Sequence, residues 1–377
     1  MKQQWEEKIV GDILKLEYGK PLDVSARKAD GRYPVYGANG EKERTDKFYC
    51  DRPSIIVGRK GSAGEVNLTE DRFWPLDVTY YVTFDDNRYD VRFLYYLLIT
   101  LDLTKLAKGV KPGVNRNDVY SQATRVPHLA EQQRIVGLLD NAFEGLATAK
   151  ANAEKNLENA RALFESYLQS VFARRSEAWK ELRKPLSELC DLIVDCEHKT
   201  APLEPEGYPS IRTPNIGKGR LLLDGVNRVS EATYATWTRR AEPLPGDLIL
   251  AREAPAGNVA VIPGNLRVCL GQRTVLIRPK KDIFDSSFLA FRLLEPQMQE
   301  KLLAHSRGAT VQHVNMKDIR ALDVGAVPSV AVQRDIAANV NIVLDETERL
   351  ARIYEQKLAA LEELKKALLH EAFSGNL

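Results

Sequence analysis

The chain says nearly the same thing twice. The run Val126-Pro127-His128-Leu129-Ala130-Glu131-Gln132-Gln133-Arg134-Ile135 returns at a constant offset as Val327-Pro328-Ser329-Val330-Ala331-Val332-Gln333-Arg334-Asp335-Ile336, and the match continues without a gap to Phe172/Phe373. Only ten of 47 aligned positions are identical, but the identities open each segment, close it, and recur in its apolar stripe at Leu157/Leu358, Leu163/Leu364 and Leu168/Leu369. The repeat reaches beyond these segments. Ile55 to Val66 aligns with Leu248 to Val259, Tyr33-Pro34 with Tyr208-Pro209, and Val114-Asn115 with Val314-Asn315. Each half therefore reads as a globular unit followed by a long helix. A duplicated binder with built-in spacers fits a ligand that itself extends in one direction.

From Glu131 to Trp179 there is no proline, and apolar or small residues step by three and four through Leu139, Phe143, Leu146, Ala153, Leu157, Ala160, Phe164, Tyr167 and Val171, with Lys150 interrupting. Leu344, Tyr354, Leu358, Leu361 and Leu368 mark the matching stripe from about Gln333 to Phe373. Such stripes are coiled-coil seams and each needs a partner. A helix of 40 residues runs about 60 Å; pairing the two antiparallel gives an internal pseudo-two-fold repeat. The globular parts read as mixed α and β. Strands are expected at Ser54 to Gly58, Val78 to Phe84, Asp247 to Ala251 and Arg273 to Ile277, and helices at Val91 to Leu98 and Ser287 to Leu294. The fold class is α+β, divided as residues 1–125, 126–184, 185–326 and 327–377.

Charge decides little, since the net is +2 and residues 327–377 carry six basic against eight acidic side chains. A nucleic-acid reading must rest on local basic surfaces, and the last helix on meeting protein. No apolar run approaches the ~18 residues that span a bilayer, and the start lacks a signal-peptide core, so no membrane association and a cytoplasmic location are expected. Cys50, Cys190, Cys196 and Cys269 form no C-x-x-C pair. Cys190, Cys196 and His198 lack a second ligand pair at zinc spacing, so reduced structural thiols and no metal are expected.

There is no phosphate loop (Gly217-Lys218-Gly219-Arg220 is a basic turn), no H-E-x-x-H, no G-x-S-x-G and no amino-methyltransferase signature. The five histidines are scattered, so no catalytic residue is assigned. What remains are polar, glycine-containing loops. In the first unit they carry Tyr36, Asn39, Arg59, Lys60, Lys108, Lys111, Asn115 and Arg116; in the second, Arg212, Thr213, Asn215, Lys218, Arg220, Arg239, Arg240, Gln272, Arg307, Gln312, His313 and Asn315. Arg forks onto guanine, Asn or Gln pairs with adenine, and Lys neutralises phosphate. The same residues also suit ordinary polar turns. Gly58, Gly64 and Gly257 read as serving turns or close backbone packing, and Arg59 and Arg252, which recur at equivalent places, suit a shared structural role as well as a shared contact.

The alternation of two divergent units with two similar helices resembles the specificity subunit of type I restriction-modification enzymes. The resemblance spans the chain and is carried by Leu129-Ala130-Glu131-Gln132-Gln133-Arg134-Ile135, by Gly246-Asp247-Leu248-Ile249-Leu250-Ala251-Arg252 and by Ala372-Phe373-Ser374-Gly375-Asn376-Leu377. It implies two target recognition domains, each reading half of a split asymmetric site in double-stranded DNA. It also implies helices that set the spacer and dock two methyltransferase subunits, to which motor nuclease subunits can add. S-adenosylmethionine, ATP and Mg2+ would then belong to the partners, leaving this chain without cofactor. Two other readings remain: the specificity subunit of a system whose methyltransferase and nuclease share one polypeptide, and a coiled-coil scaffold whose units bind protein or carbohydrate.

Overall fold

In the computed structural model, which describes residues 5–173, 179–306 and 312–377, the apolar run of the first half forms the strand Ser54–Gly58, buried along its whole length. It sits inside an antiparallel four-stranded sheet ordered Leu14–Tyr18, Thr79–Phe84, Ser54–Gly58, Val66–Thr69. A strand covered on both faces reads as a continuous apolar run rather than an alternation. A second sheet joins Gly40–Thr45, Tyr33–Gly37 and Trp74–Pro75, the last pair parallel. The helix Val91–Thr100 supplies Phe93, Leu94, Leu97 and Leu98 to the core.

The second half repeats this topology. Its four-stranded sheet runs Cys190–Asp195, Thr274–Pro279, Leu248–Ala251, Val259–Val261, and its three-stranded sheet Arg228–Val229, Tyr208–Ile211, Cys269–Leu270, again with one parallel pair. The registers coincide: Gly58 opposes Thr79 as Ala251 opposes Thr274. Tyr18 and Asp195, Arg59 and Arg252, and Lys60 and Glu253 therefore occupy corresponding positions. The expected strands and helices are all present, with ends displaced by one or two residues.

Each half passes into its long helix through a short antiparallel pair, Glu6–Ile9 with Ala123–Val126 and Lys180–Glu181 with Ala326–Val327. The central helix is Leu129–Ala173 and the terminal helix Val330–Phe373. Two compact units result, one of residues 1–153 with 356–377, the other of residues 154–355. In the first, Ile135, Leu139 and Phe143 join a core with Leu368, Leu369 and Ala372. In the second, Phe164, Leu168 and Phe172 join one with Ala337, Val340 and Leu344. Lys150 pairs with Glu362 at 2.6 Å in the first, and Arg161 with Glu355 at 2.8 Å in the second. Rising numbers on one helix meet falling numbers on the other, so the helices pack antiparallel. Leu146, Leu157, Tyr167, Tyr354, Leu358 and Leu361 are half-buried along the same stripe. The interrupting Lys150 reaches across to a carboxylate, and its neighbour Ala149 takes the half-buried position.

The repeated Gln132 and Gln333 give one of the identities between the two halves its physical reason. Both are wholly buried. The Gln132 amide accepts from Asp90 N at 2.9 Å and donates to the carbonyls of Arg88 and Pro127. Gln333 accepts from Asp285 N at 2.9 Å and donates to Ile283 and Pro328. Asp90 and Asp285 in turn cap the helices Val91–Thr100 and Ser286–Leu294. One glutamine thus ties the base of each long helix to the cap of the helix beside it.

Candidate nucleic-acid interface

In the first unit, Tyr18 ends its strand beside two loops. The guanidinium groups of Arg59 and Arg116 each lie 5.3 Å from its ring centroid, within cation–π range. Arg59 is oriented by the Asp77 carbonyl, which accepts from its Nε and Nη2 at 3.2 and 2.8 Å. Beneath, Tyr80 packs on Tyr18 and donates its hydroxyl to Val114 O. Burial holds that phenol above its ordinary pKa, which keeps it a donor.

The segment Lys108 to Gly113 closes on itself through two backbone hydrogen bonds and folds onto Arg59 to Gly61, with Val114 N donating to Arg59 O and Gly61 N to Pro112 O. Asn115 caps the helix Arg116–Tyr120. The structure therefore gathers Arg59, Lys60, Lys108, Lys111, Asn115 and Arg116 at one edge. Lys108 pairs with Asp118 at 2.8 Å, while Lys60 and Lys111 have no ion pair among the described residues. Asn39 is exposed on the turn before Gly40, and Tyr36 packs edge-on against Phe73. That turn abuts the same edge, because a Cβ on Gly58 would stand 2.6 Å from Ala38 O and 2.1 Å from Ser62 O. Gly64 (φ +88°) and Gly257 (φ +91°) are likewise confined by backbone conformation and close neighbours.

At the corresponding edge of the second unit the chemistry differs. Arg252 Nη1 pairs with Asp195 at 2.8 Å, its Nε donates to Val314 O, and its Nη2 lies 3.1 Å from His313 Nε2. Because a guanidinium only donates, His313 Nε2 must accept, so its Nδ1–H donates to Glu253 Oε1 at 2.8 Å. Arg273 pairs with the other oxygen of Glu253, His198 with Asp195, and Gln272 donates to His198 O. Arg240 joins this edge through Cys196 O and Glu197. A lysine-rich edge in one half is thus a balanced network of three acids, three arginines and two histidines in the other.

Not every expected residue gathers there. Arg239 closes the end of the helix Glu231–Trp237 through Thr236 O. Thr213 is buried and donates to Ala254 O, and Asn215 is occupied by Arg212 N and Leu222 O. Lys218 pairs with Glu165 of the central helix at 2.6 Å, and Arg220 with Asp345 of the terminal helix at 2.7 Å. Arg212 and Gln312 are exposed, and Asn315 Nδ2 donates to Asp318. Arg307 lies outside the described residues. Sequence reasoning missed Tyr18 and Asp195, whose divergence hides their equivalence, and also the paired glutamines, whose identity in both halves was a usable signal.

Among the described residues no group of side chains has the makings of a metal site, and no helix is long and apolar enough to cross a membrane. The model of the type I restriction modification DNA specificity domain matches residues 2–159 and again residues 183–363. The EcoBI type I restriction enzyme specificity subunit of Escherichia coli is 23% identical over 360 residues, covering 86% of this chain and 73% of that protein. A chain solved in work on the assembly and conformational transition of a type I R-M system superposes over the full length of both chains with a TM-score of 0.72 at 20% identity. The HsdS subunit from Thermoanaerobacter tengcongensis gives 0.55 at 21% identity, covering 99% of this chain and 97% of that one.

Proposed function

Because this chain belongs to the type I restriction-modification DNA specificity family, whose subunits are non-catalytic, we propose that it reads a bipartite asymmetric DNA site, one half per globular unit. The observation that carries this is the difference at one equivalent edge: the same scaffold presents Tyr18, Arg59 and Lys60 in one half and Asp195, Arg252 and Glu253 in the other. Two equal scaffolds with unequal edges suit two unlike half-sites. In the first unit Arg59, Lys60, Lys108, Lys111, Asn115 and Arg116, flanked by Tyr36 and Asn39, meet DNA. In the second the contacts come from Arg212, Arg239, Arg240, Gln272, Gln312, His313 and Asn315. Lysines neutralise phosphate and position the duplex, while Arg, Asn, Gln and His address base edges. Thr213, Asn215, Lys218 and Arg220, whose side chains are engaged within the chain, position the turn that bears Arg212.

The helices set the spacing between half-sites and dock two methyltransferase subunits, which bind S-adenosylmethionine and flip the adenine; motor nuclease subunits bring ATP and Mg2+ chemistry. The experiment is an exchange of residues 1–125 for the matching unit of another member of the family, followed by mapping of methylated sites. One half of the recognised sequence should change and the other persist. A change in both halves would refute independent reading.

A further inference from the structure

A cleft of about 630 Å3 in the first unit opens toward the Phe84 end of the strand Thr79–Phe84, whose Thr79 end lies by the basic edge roughly 17 Å away at 3.3 Å per residue. Its walls include the rings of Tyr49, Tyr81, Phe84 and Tyr89, and it is lined by the carboxylates of Asp51, Asp86 and Asp90 against a single cation, Arg52. Neither Asp51 nor Asp86 has a side-chain hydrogen bond or ion pair among the described residues. Tyr89 is 5% exposed, and its buried hydroxyl has no hydrogen-bond partner. An orphaned buried hydroxyl costs on the order of 1–3 kcal/mol. Its retention on the wall of an open cleft therefore points to a partner supplied from outside. Leu129 and Gln133, on the first turns of the central helix, complete the cleft.

The duplication gives this site a control. The second unit has a cleft of about 460 Å3 at the corresponding place, but there Asp247 is bridged by Arg278, and Lys281 stands where the first unit has Asp86. The location recurs and the charge does not. Carboxylates on the rim repel phosphate, so the first cleft is not a DNA surface, whereas aromatic walls beneath acids are the arrangement that holds a cation.

We propose that this cleft seats an arginine or lysine side chain of a methyltransferase subunit, inserted between the aromatic walls and held by Asp51 and Asp86. The inference rests on the docking role proposed above and goes further in naming a surface, a chemistry and an asymmetry: one cleft accepts the cation and its repeat does not.

The test places a photo-crosslinking residue at Thr83, exposed on the rim, in the full chain co-expressed with its methyltransferase. Irradiation should join it to a methyltransferase peptide that contains arginine or lysine. The double variant Asp51→Lys/Asp86→Lys should weaken assembly roughly tenfold, whereas Lys281→Glu should leave it unchanged. Tyr89→Phe should weaken assembly without lowering the melting temperature of the free chain, a split that a packing role would not produce. If a complex forms and methylates DNA, yet Thr83 crosslinks only to DNA, to a peptide without basic residues or to nothing, the inference is overturned and the docking role stands. If the unaltered chain forms no complex, both fall.

Discussion

Tyr18 and Asp195 hold one strand position in two copies of the same scaffold, and the difference between them changes the task of the arginine alongside. In the first unit the arginine lies over a ring and stays half-exposed; in the second it is spent on Asp195, Val314 and His313. Cation–π contacts of this kind contribute about 0.5–1 kcal/mol each at exposed sites. Tyr18→Ala should therefore cost about 1–2 kcal/mol of stability and, by releasing both guanidiniums from their set positions, reduce affinity for the full DNA site by roughly tenfold. Binding measured by fluorescence anisotropy checks this, and an unchanged affinity would remove Tyr18 from the interface. The cysteines supply a second residue-scale prediction. Burial pushes the thiols of Cys50 and Cys190 up to about 12, and raises those of Cys196 and Cys269. Because a free thiol ionises near 8.5, the unfolded chain loses these protons first as pH rises. Stability from them is full below about pH 8.5 and is lost through the alkaline range. Native alkylation at pH 8 should be slow at all four, and rapid labelling of Cys50 would contradict this account.

At the scale of elements, the long helices and the strands Ser54–Gly58 and Leu248–Ala251 were legible because unbroken apolar patterns fix them wherever the chain folds them. The short pairs at the helix bases and the two-residue strands Trp74–Pro75 and Cys269–Leu270 carry no such pattern; tertiary pairing makes them. Only part of the candidate site was legible. Composition marked Arg59, Lys60, Lys108 and Arg116, which do converge, but it equally marked Lys218 and Arg220, which face helical carboxylates. A loop's residue types do not reveal which way its side chains turn. The glutamine ties offer the clearest element-scale prediction. Gln132→Leu strands the Asp90 N–H and two carbonyls, and should cost about 2–4 kcal/mol. Gln333→Leu should cost a similar amount, because its three hydrogen bonds match. Urea denaturation measures both. A loss under 1 kcal/mol in either would show that the tie is dispensable.

At the scale of the whole chain, duplication is the organising fact. Two scaffolds of one topology alternate with two helices of one pattern; the edges differ between the halves, while the ties that hold each helix base to its domain are the same in both. Lys150 with Glu362 and Arg161 with Glu355 lie on exposed helix faces; such pairs add little stability, and the register rests on the apolar stripe they flank. A non-catalytic reader with two unlike edges fits a complex whose chemistry lies in its partners. The most direct test is to express the chain with its methyltransferase in a methylation-free host and to map modified adenines by single-molecule sequencing, with and without this chain. The account predicts a split asymmetric motif that disappears when the chain is omitted. The same motif appearing in its absence would contradict it.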